Sequence, residues 1–134
     1  MYLLDTNACI QFLNGTSEKI KENFQQHAPT EIAICSIVKA ELLFGARHSQ
    51  YIERNLLKLK HFFTPFNSLA FDDYCAEEYA QIRADLSRQG KMIGPNDLMI
   101  AAIARTYDAV LVTNNSGEFS RVANLRMEDW QYSA

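Results

Sequence analysis

Residues 2–7, Tyr2-Leu3-Leu4-Asp5-Thr6-Asn7, decide the predicted fold. Their three apolar residues are typical of a short buried strand, and the three polar residues that follow are typical of the start of a helix. A helix is expected from Ala8 to Leu13, where Asn14-Gly15 ends it. A strand that passes directly into a helix is the first half of a unit in which parallel strands are joined through helices.

The same alternation continues through the chain. Further strands are expected at residues 31–35, 64–67, 109–112 and 125–127, and further helices at residues 16–27, 36–49, 51–63, 72–89 and 95–107. Pro65 interrupts one of these strands, which confines that strand to an edge of the sheet or to a strand start. Alternating strands and helices predict an α/β fold, a three-layer sandwich in which a mostly parallel central sheet of four to five strands carries helices on both faces.

The composition predicts one globular domain that spans residues 1–134. The chain is 48% hydrophobic and 22% charged, which is enough apolar material for a core and gives no sign of disorder. No apolar run approaches the roughly 20 residues of a membrane span, and no basic segment precedes the first apolar run, so we expect neither a membrane contact nor a signal peptide. Three cysteines within apolar segments favour reduced thiols in a cytoplasmic protein. The net charge of −3 argues against tight, non-specific binding to duplex nucleic acid, but leaves room for a local basic patch.

Polar side chains follow two of the predicted strands at the points where these strands end. Asp5 follows the first strand, and Asn114 and Asn115 follow the strand at residues 109–112. Parallel α/β sheets bind ligands beyond the carboxyl ends of their strands, so these side chains form a candidate site if the two strands are neighbours. The alternative is that Asp5 only caps the next helix, which Asp and Asn do well.

Glu41 lies on the third predicted helix. Its nearest neighbours around that helix are Ile37, Val38, Phe44 and Gly45, so we expect Glu41 to project from the apolar, core-facing side. A carboxylate there is costly unless it is paired or bound to a metal ion. The alternative is a buried salt bridge to one of the arginines.

Asp97 stands at the start of a segment that is apolar all round. Residues 98–104, Leu98-Met99-Ile100-Ala101-Ala102-Ile103-Ala104, predict a buried helix, and the helix dipole favours an ionised Asp in the first turn. Gly94 and Pro95 restrict the backbone that leads into it. The alternative is an ordinary helix-start aspartate with no further role.

Together, Asp5, Glu41 and Asp97 bring three carboxylates from separate segments to one edge of the predicted sheet. Carboxylates that lie close together repel each other and need a cation. Oxygen ligands of this kind suit Mg²⁺ or Mn²⁺, with water molecules completing the coordination shell. The sequence offers no Ser–His or Cys–His nucleophile set and no phosphate-binding Gly-Lys-Ser/Thr loop. The predicted chemistry is therefore metal-assisted hydrolysis of a phosphodiester.

The residues singled out above belong to four ordered motifs. These are Leu4-Asp5-Thr6-Asn7, Glu41-Leu42-Leu43-Phe44-Gly45-Ala46, Ile93-Gly94-Pro95-Asn96-Asp97-Leu98-Met99-Ile100-Ala101-Ala102 and Val112-Thr113-Asn114-Asn115. At this spacing they resemble the PIN-domain family of ribonucleases, and in particular its VapC-type toxins. Further along lie Glu118-Phe119, Arg121-Val122, Leu125 and Glu128-Asp129-Trp130, which resemble the C-terminal block of the subgroup that cleaves initiator tRNA. The resemblance covers essentially the whole chain and implies a PIN-like sandwich.

The resemblance assigns roles by position. Asp5, Glu41 and Asp97 match the family's metal-binding carboxylates, which implies a Mg²⁺ or Mn²⁺ cofactor. Asn115 stands where many PIN domains carry a fourth Asp, and the resemblance places it in the catalytic set. Glu118 matches an acidic position just after it, from which it would serve the metal ion through a water molecule.

The resemblance also implies partners. It implies an endoribonuclease toxin of a bacterial toxin–antitoxin pair that cuts the anticodon loop of initiator tRNA and halts translation. It further implies a homodimer and a VapB-type antitoxin whose C-terminal tail blocks the acidic site, commonly with an Arg. Gly117 departs from the pattern, because close relatives are expected to carry a basic Arg there. The candidates for basic residues on the rim of the site are Lys39, Arg47, Arg83, Arg88 and Lys91.

Two other functions share part of this pattern. A phosphatase of the haloacid-dehalogenase type also begins with a strand and an Asp, but it requires a second acid at position 7, where this chain has Asn7. A non-catalytic PIN scaffold module would have lost its acids, whereas Asp5, Glu41 and Asp97 are all present. Comparing hydrolysis of a phosphate monoester with cleavage of RNA distinguishes a phosphatase from a ribonuclease.

Overall fold

A computed structural model describes residues 1–132 and contains a five-stranded parallel sheet. The strands are β1 (Tyr2–Leu4), β2 (Ile32–Cys35), β3 (Asn67–Leu69), β4 (Val110–Val112) and β5 (Met127–Glu128). Their order across the sheet is β3-β2-β1-β4-β5, and all neighbouring pairs are parallel. The predicted α/β fold with a parallel central sheet is confirmed.

Helices join successive strands. They are α1 (Thr6–Asn14), α2 (Glu18–Gln25), α3 (Ser36–Arg47), α4 (Ile52–Phe63), α5 (Asp73–Gln89), α6 (Pro95–Thr106) and α7 (Ser116–Phe119), with a 3₁₀ turn at Pro29–Glu31. The chain moves outward from β1 to β3 and then returns past β1 to β4. Because parallel crossovers are right-handed, this reversal puts α1 to α4 on one face of the sheet and α5 and α6 on the other. The result is the predicted three-layer sandwich.

The reversal of direction leaves β1 between two neighbours whose carboxyl ends lie level with its own. Leu3 is in register with Ala33 on one side and with Leu111 on the other, and all three are buried. Leu4 is in register with Val112, and the next backbone N–H, that of Asp5, donates to the Val112 carbonyl at 3.0 Å. The polar residues that follow β1 and β4 are therefore brought to the same edge of the sheet.

An aromatic cluster fills the face that carries α1, α2 and α4. Phe12 stacks on Phe24 with ring centroids 4.0 Å apart, and Phe24 meets Trp130 edge-on at 5.5 Å. The amide of Asn23 donates to the Trp130 carbonyl at 2.9 Å, which ties the segment after β5 to α2. Aromatic pairs of this geometry add to the free energy of burial and fix how the helices sit on the sheet.

Several predicted boundaries were wrong. The strand predicted at residues 64–67 lies at Asn67–Leu69, because the chain forms a turn after α4 in which the Phe66 N–H donates to the Phe63 carbonyl at 3.2 Å. Pro65 therefore precedes the strand, which is at the edge of the sheet. The last strand, predicted at residues 125–127, is Met127–Glu128, and α1 begins at Thr6 instead of Ala8.

The four-residue helix α7 and the 3₁₀ turn were not predicted, because both are too short to show a periodicity. No helix within residues 1–132 combines the length and the apolar character that a membrane crossing requires. The predicted single domain extends to residue 134, and its last two positions lie outside the described residues.

Candidate active site

A polar cleft opens where β1 and β4 end. Its volume is about 260 Å³, and its lining residues are Asp5, Thr6, Asn7, Glu41, Asp97 and Asn115. Four of the five predicted site residues thus line one cavity. The cleft lies at the carboxyl ends of the strands where the chain reverses direction, which is the usual place for a ligand in an open α/β sheet.

Asp5 both caps α1 and forms the floor of the cleft. One carboxylate oxygen accepts from the Ala8 N–H at 2.8 Å, and the side chain is 5% exposed. Burial raises the pKa of Asp5, hydrogen bonds from Thr113 and Ala8 lower it, and the negative charges of Glu41 and Asp129 raise it again. Capping and a place in the cleft are therefore compatible, and the second oxygen is not used by the helix.

Glu41 reaches the cleft from the side of α3 that faces α1. It is half-buried, and one carboxylate oxygen accepts from the Thr6 hydroxyl at 2.8 Å. The prediction that Glu41 lies on the core face was wrong. The residues of α3 that enter the core are Val38, Leu42 and Ala46, whereas Phe44, taken as a core neighbour, is 69% exposed. No lysine, arginine or histidine of residues 1–132 forms a salt bridge with Glu41, so the alternative of a buried ion pair is not realised there.

Asp97 occupies the third position of α6 and is half-buried. Burial is the main reason that its pKa rises from 3.8 to about 6, and the adjacent Glu118 carboxyl adds to the rise through a shared hydrogen bond and its charge. The charges of Glu41 and Asp5 raise the pKa further. Four carboxyl groups therefore act on one another in this region, and a cation would relieve their repulsion.

Asn115 forms the far wall of the cleft, and Glu118 lies next to Asn115 outside the lining. The Asn115 amide donates to Glu118 Oε2 at 3.3 Å, and the Asn115 backbone N–H donates to the Thr113 hydroxyl at 2.9 Å. Asn115 lines the cleft directly. Glu118 is not among the lining residues and meets the site through Asp97, so its predicted contact with the metal ion through water stays a prediction.

Sequence reasoning missed residues that hold the acids in place. Thr6 orients Glu41, and Thr113 donates to Asp5 and accepts from Asn115. Both were detectable in principle, because each directly follows a strand or its terminal acid. Asp129 adds a negative charge near Asp5, and only the parallel pairing of β5 with β4 brings it close.

The donor set suits a hard divalent cation that keeps much of its water. The cleft offers carboxylate and amide oxygens, the ligands that Mg²⁺ and Mn²⁺ prefer. Within residues 1–132 no three His, Cys, Asp or Glu side chains converge closely enough to ligate one ion directly. Mg²⁺ is commonly held by one or two carboxylates, with waters filling the remaining positions, so the residues present fit such an ion.

The basic residues predicted for the rim do not line the cleft. Lys39 donates to the Ser68 hydroxyl at 2.9 Å, Arg83 to the Tyr79 hydroxyl at 3.0 Å, and Arg88 pairs with Asp85 at 2.9 Å. These contacts are of the ordinary surface kind.

The comparisons with known proteins agree with the geometry. The family described as PIN domain matches residues 2–125. The chain is 41% identical to the tRNA(fMet)-specific endonuclease VapC of Shigella flexneri over 129 residues, which is 96% of this chain and 97% of that protein. Ribonuclease VapC2 of Haemophilus influenzae is also 41% identical, over the same shares of the two chains.

Two solved structures extend the comparison to three dimensions. DNA-bound VapBC from Salmonella typhimurium matches with a TM-score of 0.91 at 40% identity, over 96% of this chain and 97% of that one. VapBC2 from Rickettsia felis, bound to a DNA fragment from its promoter, matches with a TM-score of 0.90 at 40% identity, over 96% and 98%. The chain belongs to the PIN-domain family and, within it, to the VapC group. This membership removes the haloacid-dehalogenase alternative.

Proposed function

We propose that this protein is the ribonuclease toxin of a VapBC-type toxin–antitoxin pair and that it cuts RNA at the acidic cleft with the help of Mg²⁺ or Mn²⁺. The observation that carries the proposal is the meeting of Asp5, Glu41, Asp97 and Asn115 in one polar cavity at the carboxyl ends of β1 and β4. The relatives named above are ribonucleases or endonucleases at about 40% identity. The acids that a non-catalytic scaffold would have lost are all in place.

Asp5, Glu41 and Asp97 would hold the metal ion, directly or through its waters. An ion held there would supply the charge that polarises a phosphodiester and lowers the pKa of a water molecule. The hydroxyls of Thr6 and Thr113 keep two of the acids oriented, so less reorganisation is needed when the ion and the RNA arrive. Asn115 lines the cleft, and the amide hydrogen that it does not use in the bond to Glu118 can donate to a phosphate oxygen.

The substrate we propose is the anticodon loop of initiator tRNA. Proteins recognise RNA sequence mainly in unpaired loops, where bases can be splayed out of the stack. The VapC of Shigella flexneri is named a tRNA(fMet)-specific endonuclease, and it aligns with nearly all of this chain. A single cut in that loop would prevent initiation and halt translation.

A VapB-type antitoxin is the proposed partner, since two of the matching structures are of VapBC complexes. A cleft with several carboxylates attracts a guanidinium, which can bind a carboxylate through two parallel hydrogen bonds. An antitoxin tail that carries one Arg would therefore block the metal ion and the RNA together. We also propose a homodimer, as the resemblance implies.

The test is to incubate the purified protein with initiator tRNA, duplex RNA and a chromogenic phosphate monoester, each with Mg²⁺. We expect one cut in the anticodon loop, intact duplex and no hydrolysis of the monoester. Degradation of all RNA at equal rates would contradict the substrate but not the nuclease. No cleavage of any RNA, by a folded protein freed of its antitoxin, would favour the scaffold alternative.

A further inference from the structure

A second cavity adjoins the acidic cleft and shares Glu41 with it as a common wall. This cavity, here called the side groove, has a volume of about 250 Å³ and lies between α1, α3 and α4. Its apolar lining consists of Ile10, Leu13, Leu42, Ala46 and Leu59. Leu42 and Leu59 are 7% and 6% exposed and form the floor, whereas Ile10 at the rim is 39% exposed. An apolar slot thus begins where the acidic cleft ends.

Gly45 gives the side groove a smooth wall. It lies in the interior of α3, where glycine is a poor helix former. A Cβ built at this position would meet no atom of the described chain within 4 Å, so the packing of this fold does not require glycine there. A flat ligand that approaches the helix backbone does require it.

The rim of the side groove carries polar groups that can still form ion pairs or hydrogen bonds with a ligand. The Lys58 ammonium contacts the Leu13 carbonyl at 3.5 Å, and no carboxylate of residues 1–132 lies within salt-bridge distance of it. Asn55 uses its amide nitrogen to donate to the Ser49 hydroxyl at 2.8 Å, which leaves its amide oxygen as an acceptor. The rim therefore offers one cation and hydrogen-bonding amides around an apolar interior.

We propose that the side groove binds one unstacked nucleobase of the RNA, next to the phosphate that is cut. This inference rests on the proposed nuclease function and names a specificity pocket for it. The base lies flat against Gly45, between the leucines of α1 and α4, and Asn55 and Asn14 face its hydrogen-bonding edge. Lys58 neutralises a neighbouring phosphate. The occupant combines a flat apolar ring, a polar edge and a negative charge, which matches these three features of the groove better than an aliphatic side chain does.

The test is affinity for the anticodon stem–loop of initiator tRNA, measured by fluorescence anisotropy in EDTA, where no cleavage occurs. Each loop nucleotide is replaced in turn by an abasic one, and each RNA is titrated against wild type, Gly45→Leu and Gly45→Ala. The leucine should fill the side groove without touching the acidic cleft, and the alanine is the matched small control. Far-ultraviolet circular dichroism checks that both variants are folded.

We expect one abasic position to weaken wild-type binding about tenfold, within the range that one base contact contributes. Gly45→Leu should weaken binding of the intact loop by a similar factor. For this variant the abasic nucleotide should cause no further loss of affinity, because the two changes remove the same contact. Gly45→Ala should weaken binding less than Gly45→Leu does, because its single methyl group fills less of the side groove. The proposal would be overturned if the fold losses in affinity from the abasic nucleotide and from Gly45→Leu multiplied when combined. It would also be overturned if Gly45→Leu left the affinity for the intact loop unchanged. If Gly45→Leu lost affinity for the antitoxin, titrated in the same way, but kept its affinity for RNA, the groove would be assigned to the antitoxin instead.

Lys58 provides an independent arm of the same test. Lys58→Met should lower the slope of log affinity against log salt concentration by about 0.7, the value for one phosphate contact with a single strand. Lys60→Met, an exposed position on the same helix that does not line the groove, is the control and should leave the slope unchanged. Equal slopes for wild type and Lys58→Met would contradict the phosphate contact. Because these readouts need no cleavage, they stand or fall separately from the nuclease activity.

Discussion

The individual carboxyl groups of the cleft differ in how the fold holds them. Asp5 is fixed by the Ala8 N–H and the Thr113 hydroxyl, so part of the cost of its burial is offset by hydrogen bonds. Asp97 instead faces another carboxyl group, that of Glu118, and its pKa rises to about 6. In the absence of a metal ion, the repulsion is therefore concentrated at Asp97.

This arrangement predicts an unusual dependence of stability on pH. The folded-state pKa of Asp97 lies above its ordinary value of 3.8, so between pH 4 and 6 the folded chain binds more protons than the unfolded one. The contribution of this group to the free energy of unfolding therefore increases as the pH falls from 7 towards 4. In EDTA, Asp97→Asn should raise the melting temperature at pH 7 and make it less sensitive to a change to pH 5.

Melting curves of wild type and Asp97→Asn at the two pH values check this expectation. Asp108→Asn makes the same chemical change at a side chain that is 92% exposed and pairs only with the exposed Arg126, so it should behave nearly like wild type. If the melting temperatures of wild type and Asp97→Asn depended on pH in the same way, the proposed repulsion would be contradicted.

At the level of secondary-structure elements, much of the site was predictable because its signals are local. The apolar run of β1 and the polar residues after it identify both a strand end and Asp5, and the apolar segment of α6 identifies Asp97 in the same way. The sequence identified Glu41 as a candidate site residue but predicted the wrong surroundings for its side chain. A helical projection counts Phe44 as core, whereas its ring stacks on His48 at the surface.

The remaining features depend on contacts between elements that are distant in the sequence. The hydrogen bond from Thr6 to Glu41 joins α1 to α3, and the approach of Glu118 to Asp97 needs both α6 and the turn after β4. Local patterns carry no information on such pairs. The side groove was likewise not predictable, because three helices form it.

The helix that carries Asp97 also makes a large contribution to the core, which gives a prediction at this scale. Ile103 of α6 is fully buried, so Ile103→Ala should lower the free energy of unfolding by about 2–5 kcal/mol through lost burial and a cavity. Ile52→Ala on α4, where the side chain is 38% exposed, is the matched control, with an expected loss below about 1 kcal/mol. Urea titration measures both values. Equal losses would mean that Ile103 of α6 contributes no more to the core than the partly exposed Ile52 of α4.

At the scale of the whole molecule, the net charge of −3 has the same sign as the charge of an RNA substrate. The cleft gathers several of the acids in one place, where a bound cation would neutralise them, so the overall sign of the charge need not oppose RNA binding. The same concentration of charge suits an antitoxin that presents a guanidinium. Metal ion and antitoxin would then occupy overlapping space.

Competition between them is therefore expected. Mg²⁺ should weaken antitoxin binding, and replacing Asp5, Glu41 and Asp97 together by amides should weaken it as well, because the guanidinium loses its charged partners. Isothermal titration calorimetry of the antitoxin against wild type, with and without Mg²⁺, and against the triple-amide protein measures both effects. Identical affinities would show that the antitoxin blocks RNA from elsewhere on the molecule.

The central claim is that the acidic cleft cuts RNA with a divalent metal ion, and the rate of cleavage of initiator tRNA tests it most directly. Wild type and Asp97→Asn are compared with Mg²⁺, with Ca²⁺ and with excess EDTA. We expect wild type to cut the anticodon loop once with Mg²⁺, poorly with Ca²⁺ and not at all in EDTA, and we expect Asp97→Asn to be inactive in all three. Cleavage by Asp97→Asn at a rate near that of wild type, or full wild-type activity in EDTA, would contradict the claim.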